Sequence, residues 1–208
     1  MSIILNMNRF RIEETPSKCA QSHCDKHVVK MITEEAQMLS TAHRLLDGKM
    51  RHIQSTDAHG NPVYLKSGKP RMKKYWDLHE GRGDKEGEQL LYKAVHMGHP
   101  CTVWSAETLG NYRWAYALFE YLCEEYTHRY GKEHATQTRL IDALARAPEN
   151  ISKNLKVTDM PLAMGAAPEC IDHDDVIGSY RNFYITKQRR FSMKWKNRKV
   201  PEWFEYDS

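Results

Sequence analysis

Apolar residues between positions 17 and 46 return every three or four places: Ala20, Cys24, Val28, Met31, Leu39, Ala42 and Leu46, with a gap around Glu35. That spacing is one face of a 3.6-residue period, and it predicts an α-helix over 17–46. Thr15 is suited to cap its start, Pro16 to occupy its first position, and Gly48 to stop it. A second stripe runs through Leu109, Tyr112, Tyr116, Phe119, Cys123, Tyr126 and Tyr130 and ends at Gly131, predicting a helix over 102–130. Two long one-sided helices must bury their faces against other helices, which places the chain in the mainly α class.

The remaining segments fill in around that pair. Residues 2–7 read as a short strand or arm, 88–95 as a short helix, 96–101 as a break, 133–147 and 172–195 as further helices, and 148–170 as irregular with three prolines. Residues 48–89 are rich in Gly, Lys, Arg and His and lack apolar periodicity. Within them 62–76 predicts a hairpin turning at Ser67-Gly68-Lys69, and the rest reads as a solvated loop or a functional insertion. No repeat is visible. At 208 residues the length suits one domain, since roughly 150 residues per domain is usual. The expected architecture is therefore a single-domain helical bundle over 1–208, with a short N-terminal strand or arm and a polar insertion at about 48–89 that forms a β-hairpin.

Composition removes several classes. Hydrophobic residues at 40% and charged residues at 28% exclude wholesale disorder. No apolar run approaches the about 18 residues that a membrane span needs. The first fourteen residues lack the apolar core and small-residue cleavage site of a signal peptide. Five scattered cysteines without a CxxC pair argue for a reducing compartment, so the expected location is cytoplasmic.

The chemistry-bearing residues concentrate in the first helix. His23, His27, Lys30 and Glu34 stand at i, i+4, i+7 and i+11 and share one stripe, with Lys26 beside them. Carboxylate, imidazole and amine in one stripe suit general acid–base work. A histidine pair at i, i+4 can also bind a metal, but HExxH is absent, so neither a metal nor a cofactor is assigned. The plain alternative is a solvated polar stripe. His99 stands at the entrance to the second helix, where free N–H groups favour an anion. Trp104, Asn111, Tyr112, Arg129, Lys132 and His134 are candidates to hold a substrate, although much of the aromatic stripe should be core.

Charge is segregated. Eight cations and no acid lie between Arg181 and Val200, interleaved with Phe183, Tyr184, Phe191 and Trp195. Residues 49–76 carry seven cations against one acid. Such segments track phosphates and stack bases, which makes DNA the expected partner. The expected contacts are Lys69, Arg71, Lys73 and Lys74 in the insertion, and Arg181, Lys187, Arg190, Lys194, Trp195 and Lys196 near the C-terminus.

Several strings together carry a resemblance that covers most of the chain outside the insertion. They are Ala20-Gln21-x-His23-Cys24-Asp25-Lys26-His27-Val28-Val29-Lys30-Met31, His99-Pro100-Cys101 with Trp104, Asn111-Tyr112, Glu125-Tyr126 with Arg129-Tyr130-Gly131-Lys132, and Pro201-x-Trp203-Phe204. The chain resembles a family of small tailed-phage proteins that act on DNA pyrimidines. One branch of the resemblance is to pyrimidine-dimer DNA glycosylase, also called endonuclease V. It implies attack by an α-amine, here that of Ser2, on the sugar C1′, with a glutamate on the first helix. The chain departs from that pattern by holding Val29-Lys30 where the family has Arg-Glu, so Glu34 or Glu35 would take the role. The other branch is to phage enzymes that attach amino acids to activated hydroxymethyl pyrimidines in thymine hypermodification. It implies an amino acid as co-substrate, a base for its amine, and a cationic site for departing phosphate, from His23, His27, Glu34, Lys26 and Lys30. Both imply a base flipped or reached in the duplex, with Trp104 and Tyr112 to meet it, and for a phage protein the host cytoplasm. A nucleic-acid-binding protein without chemistry and a metal-dependent hydrolase remain open alternatives.

Overall fold

The computed structural model describes residues 8–78 and 90–207. The expected arm at 2–7, and with it Ser2, lies outside the described residues. Thr15 caps the first helix by accepting the Lys18 N–H, and Pro16 begins it. This helix, α1, covers only Pro16–Ser22, and a second, α2, covers Asp25–Asp47. The expected single helix is broken at His23 and Cys24, both extended. The cause is tertiary. The Cys24 N–H donates to the Tyr184 hydroxyl at 2.8 Å and the Asp25 N–H to the Lys194 carbonyl at 2.8 Å. Two amides that a continuous helix would use internally are thus held from outside it.

A strand, β1 (Lys49–Gln54), follows at once and pairs antiparallel with β2 (Met72–Asp77), from Lys49 opposite Asp77 to Gln54 opposite Met72. Gly48 makes this junction possible, because a Cβ there would lie 2.3 Å from the Arg44 carbonyl oxygen. The turn expected at 67–69 is present, with Gly68 at φ 77° and the Leu65 N–H on the Lys69 carbonyl. The expected hairpin is present in short form, with Tyr64 bridged to Pro70 and the Arg71 N–H on the Val63 carbonyl, but β2 beyond it pairs with 49–54 and not with the first arm of that hairpin. A further turn is closed by Asp57, which accepts the His59 and Asn61 N–H groups.

The described part of the expected 88–95 helix, residues 90–95, is not helical. Its carbonyls are taken by arginines instead. Arg44 donates to those of Leu91 and Tyr92, and Arg139 to that of Leu90. The second long helix is also two, α3 (Pro100–Glu107) and α4 (Leu109–Tyr130), parted at extended Thr108. Thr108 caps α4 while the Leu109 and Gly110 N–H groups donate to the Ser152 and Asn154 carbonyls. Gly131 ends α4 at φ 68°, as the sequence predicts.

Helix α5 (Ala135–Ala145) is capped by His134. Helix α6 (Val176–Ile185) runs into a 3-10 turn over Thr186–Arg189 and stops there, short of the expected 195. The chain beyond it folds back over the α1–α2 junction, where the Trp195 indole N–H donates to the Ser22 carbonyl. Helices α2 and α4 pack along one another, with α1 against α4 and α3 and α5 against α2. Val28, Met31, Ile32, Leu39, Leu118, Phe119 and Leu122 fill the space between them. The molecule is mainly α with one two-stranded sheet among the described residues.

Candidate functional site

Helical spacing places His27, Lys30 and Glu34 on one side of α2, and the structure brings Lys30 and Glu34 to a cleft. The Lys30 ammonium lies 2.9 Å from a Glu34 carboxylate oxygen, and the Asn8 N–H points at the other oxygen at 3.5 Å. Glu34 is only 7% exposed. Burial raises its pKa, against the opposing pull of Lys30, the Asn8 N–H and His96. The cleft has a volume of about 500 Å³ and is lined by Lys30, Thr33, Glu34 and Gln37 of α2, by His96, and by His134. His96 holds a left-handed φ of 47°, uncommon for a residue with a side chain. His134 accepts the Thr136 N–H through Nδ1, and burial lowers its pKa, which favours neutral imidazole. Neutral histidine, a carboxyl inclined to hold a proton, and an ammonium together form an acid–base set. Glu35, the neighbouring alternative, is fully buried and bound to Arg9 with guanidinium–carboxylate contacts of 2.5–3.0 Å.

His23 and His27 turn inward. His23 is fully buried, donates from Nδ1 to the Cys19 carbonyl at 2.6 Å, and leaves Nε2 without a partner. Burial lowers its pKa to about 4. His27 stacks on Phe10 at 5.0 Å and meets Tyr184 and Phe191 edge-on, with Nδ1 buried and unpartnered. Burial first, then His23, Lys30 and Lys187, hold its pKa well below the usual value. Neither is part of a solvated stripe, and His23 does not line the cleft. Lys26 is exposed, with its ammonium over Phe191 at 4.7 Å.

Most of the expected substrate-holding residues are committed inside the fold. Arg129 is 1% exposed and donates to Glu125, Asp25 and the Gln21 carbonyl. Asn111 binds the Trp104 carbonyl and both the hydroxyl and the N–H of Thr158. Tyr112 sits between His43 and the Leu144 carbonyl, and Trp104 donates to the Thr158 carbonyl while meeting Trp114 edge-on. Buried and partnered in this way, Trp104 and Tyr112 present no face to an incoming base. His99 caps α3 through the Cys101 N–H. Lys132 is exposed, and His134 alone of this group reaches the cleft.

The expected DNA contacts divide likewise. Lys69, Arg71, Lys74, Arg190, Lys194 and Lys196 are exposed, and Lys73 is half-buried. Arg181 is bound to the Ile12 carbonyl and Glu13, and Trp195 is buried against Phe204. Lys187 has a different setting from its neighbours. Its ammonium lies over the Phe183 ring at 3.3 Å, and burial, then Arg190 and Lys30, lower its pKa to about 8. The i, i+4 spacing of Phe183 and Lys187 was the available sequence signal.

All five cysteines are buried thiols. Among the described residues no group of three or more His, Cys, Asp or Glu side chains is placed to hold a metal ion. No helix among them is long and apolar enough to cross a membrane. A scan of protein-family models and searches of curated proteins and of solved structures found no match.

Proposed function

We propose that this protein is an enzyme acting on pyrimidine bases in DNA, with Glu34 as its acid–base group. The observation that carries this reading is the Glu34–Lys30 pair, a 7%-exposed carboxyl held 2.9 Å from an ammonium at the wall of an open cleft. A carboxyl raised by burial keeps its proton closer to neutrality, where transfer to or from a reacting group is most effective. Lys30 offsets negative charge that develops beside it. The DNA part rests on the resemblance and on charge. Lys69, Arg71 and Lys74 on the hairpin side and Arg190, Lys194 and Lys196 near the C-terminus are exposed cations suited to phosphates.

In the glycosylase/lyase reading, an amine forms a bond to C1′ as the bond from C1′ to the pyrimidine breaks. The departing base takes up a proton, and Glu34 is placed to manage the proton traffic. A second reading, amino-acid transfer onto an activated hydroxymethyl pyrimidine, is favoured by His96 and His134 at the cleft. The neutral imidazole that burial favours at His134 suits removal of a proton from an incoming amine.

Glu34→Gln tests both, with duplexes carrying a pyrimidine dimer or an abasic site for the first and activated hydroxymethyl-pyrimidine DNA plus a labelled amino acid for the second. Turnover should fall by about 100-fold or more while duplex affinity stays unchanged. Full activity in the variant removes Glu34 from the mechanism. A wild-type protein that binds DNA and turns over none of these substrates leaves the non-catalytic alternative.

A further inference from the structure

The cleft beside Glu34 has polar groups that the acid–base pair does not use. Lys30, Thr33, Glu34 and Gln37 recur along α2 at three- and four-residue steps and all line the cleft, so they form one stripe. Lys30 and Glu34 satisfy each other at 2.9 Å, which leaves this wall without net charge. Thr33 and Gln37 are differently placed. Both are half-buried, and among the described residues neither the Thr33 hydroxyl nor the Gln37 side-chain amide has a hydrogen-bond partner. Val29 and Val95 supply apolar surface to the same cleft. Thr41, one turn beyond Gln37, ties these parts together. Its hydroxyl oxygen accepts the Val95 N–H at 3.1 Å and its proton is donated to the Gln37 carbonyl at 2.7 Å. The Gln37 and Val95 backbones are therefore fixed relative to each other before a ligand arrives.

We infer that Gln37 is the specificity residue of this cleft, pairing through its side-chain amide with one edge of an uncharged planar heterocycle. The edge it fits carries a donor beside an acceptor, as a pyrimidine does at N3 and its 4-substituent. A carboxamide meets such an edge with two hydrogen bonds, its oxygen accepting and its NH2 donating. The Thr33 hydroxyl can donate or accept at a neighbouring polar atom, and the two valines cover the ring. The volume of about 500 Å³ is in the range that takes one small molecule or nucleoside. Spacing along the helix agrees with this. Three residues separate Glu34 from Gln37, a rise of about 4.5 Å, which is the order of the width of one six-membered ring. A ring whose reacting bond lies at Glu34 thus presents its far edge to Gln37. The inference rests on the function proposed above, and it adds the residue that selects the base.

The test uses the full chain and three labelled pentanucleotides, with binding read by fluorescence anisotropy at low salt. In each, the flanking positions are base-free tetrahydrofuran sites, and the centre is thymine, 3-methylthymine or base-free. Methylation at N3 removes the donor and blocks the edge. The thymine oligomer should bind about tenfold more tightly than the other two, and in Gln37→Met the three affinities should converge on the base-free value. Methionine keeps the length and helix preference of glutamine, and a merely structural role would weaken all three oligomers alike. Equal affinities in the wild-type protein overturn the inference and leave DNA binding in place. A thymine preference that persists in Gln37→Met overturns the role of Gln37 and leaves the pyrimidine reading standing. Binding of none of the oligomers overturns both.

Discussion

Protonating His23 means placing a cation where burial is complete and the free ring nitrogen has nothing to meet. Its folded pKa, lowered to about 4 from 6.5, therefore has a consequence for stability. Above pH 6.5 the imidazole is neutral in both folded and unfolded chains and the native contribution is complete. As pH falls from 6.5 towards 4 the unfolded chain binds the proton and the folded chain does not, so stability is lost across that window. The loss is on the order of 3 kcal/mol for His23, and His27, also lowered, adds to it in the same direction. Urea unfolding at pH 7 and pH 5 should show it, and His23→Phe should flatten the dependence. From the sequence these two histidines were legible as members of a stripe with Lys30 and Glu34. Their inward turn was not, because spacing fixes which side of a helix a residue takes and says nothing of what covers it. The choice between Glu34 and Glu35 was open for the same reason. One faces the cleft and the other faces Arg9, and only the packed neighbours separate them.

At the scale of elements, both long periodic stretches exist, and both are cut. The cut at His23–Cys24 keeps the apolar rhythm, since Ala20, Cys24 and Val28 all remain buried across it. A sequence pattern sensitive only to burial passes over such a break. What makes it is the hydroxyl of Tyr184, 160 residues away, accepting the Cys24 N–H. Tyr184→Phe should leave that buried N–H without its acceptor and cost about 1–3 kcal/mol, visible as a lower midpoint in denaturant with an unchanged slope. An unchanged midpoint would show that the break is held by the Asp25–Lys194 bond alone. The missing helix at 90–95 has a similar origin. Arg44 and Arg139 claim the carbonyls that helical bonding would need, and cations from distant positions leave no local signature.

Over the whole molecule, charge was legible along the chain and accessibility was not. The insertion keeps Lys69, Arg71 and Lys74 in solvent, whereas Arg181 and Trp195 of the C-terminal segment are spent on internal contacts. On the proposed DNA reading, replacing Lys69, Arg71 and Lys74 together with Gln weakens duplex binding uniformly across sequences and reduces the salt slope by about one per lost phosphate contact. Titrations at several salt concentrations measure it, and an unchanged slope counts against these residues as phosphate contacts. The amino-acid sequence alone determined the mainly α class, the helix stops at Gly48 and Gly131, the glycine turn at Gly68, the shared stripe of His27, Lys30 and Glu34, and the segregation of cations, because periodicity, caps and charge are local properties of neighbouring residues. Tertiary structure alone decided where the long helices break, which strand pairs with β2, that Arg129, Asn111 and Tyr112 are internal ties, and that the Lys187 ammonium lies over Phe183. Each of those depends on hydrogen bonds and desolvation supplied by residues far away in sequence.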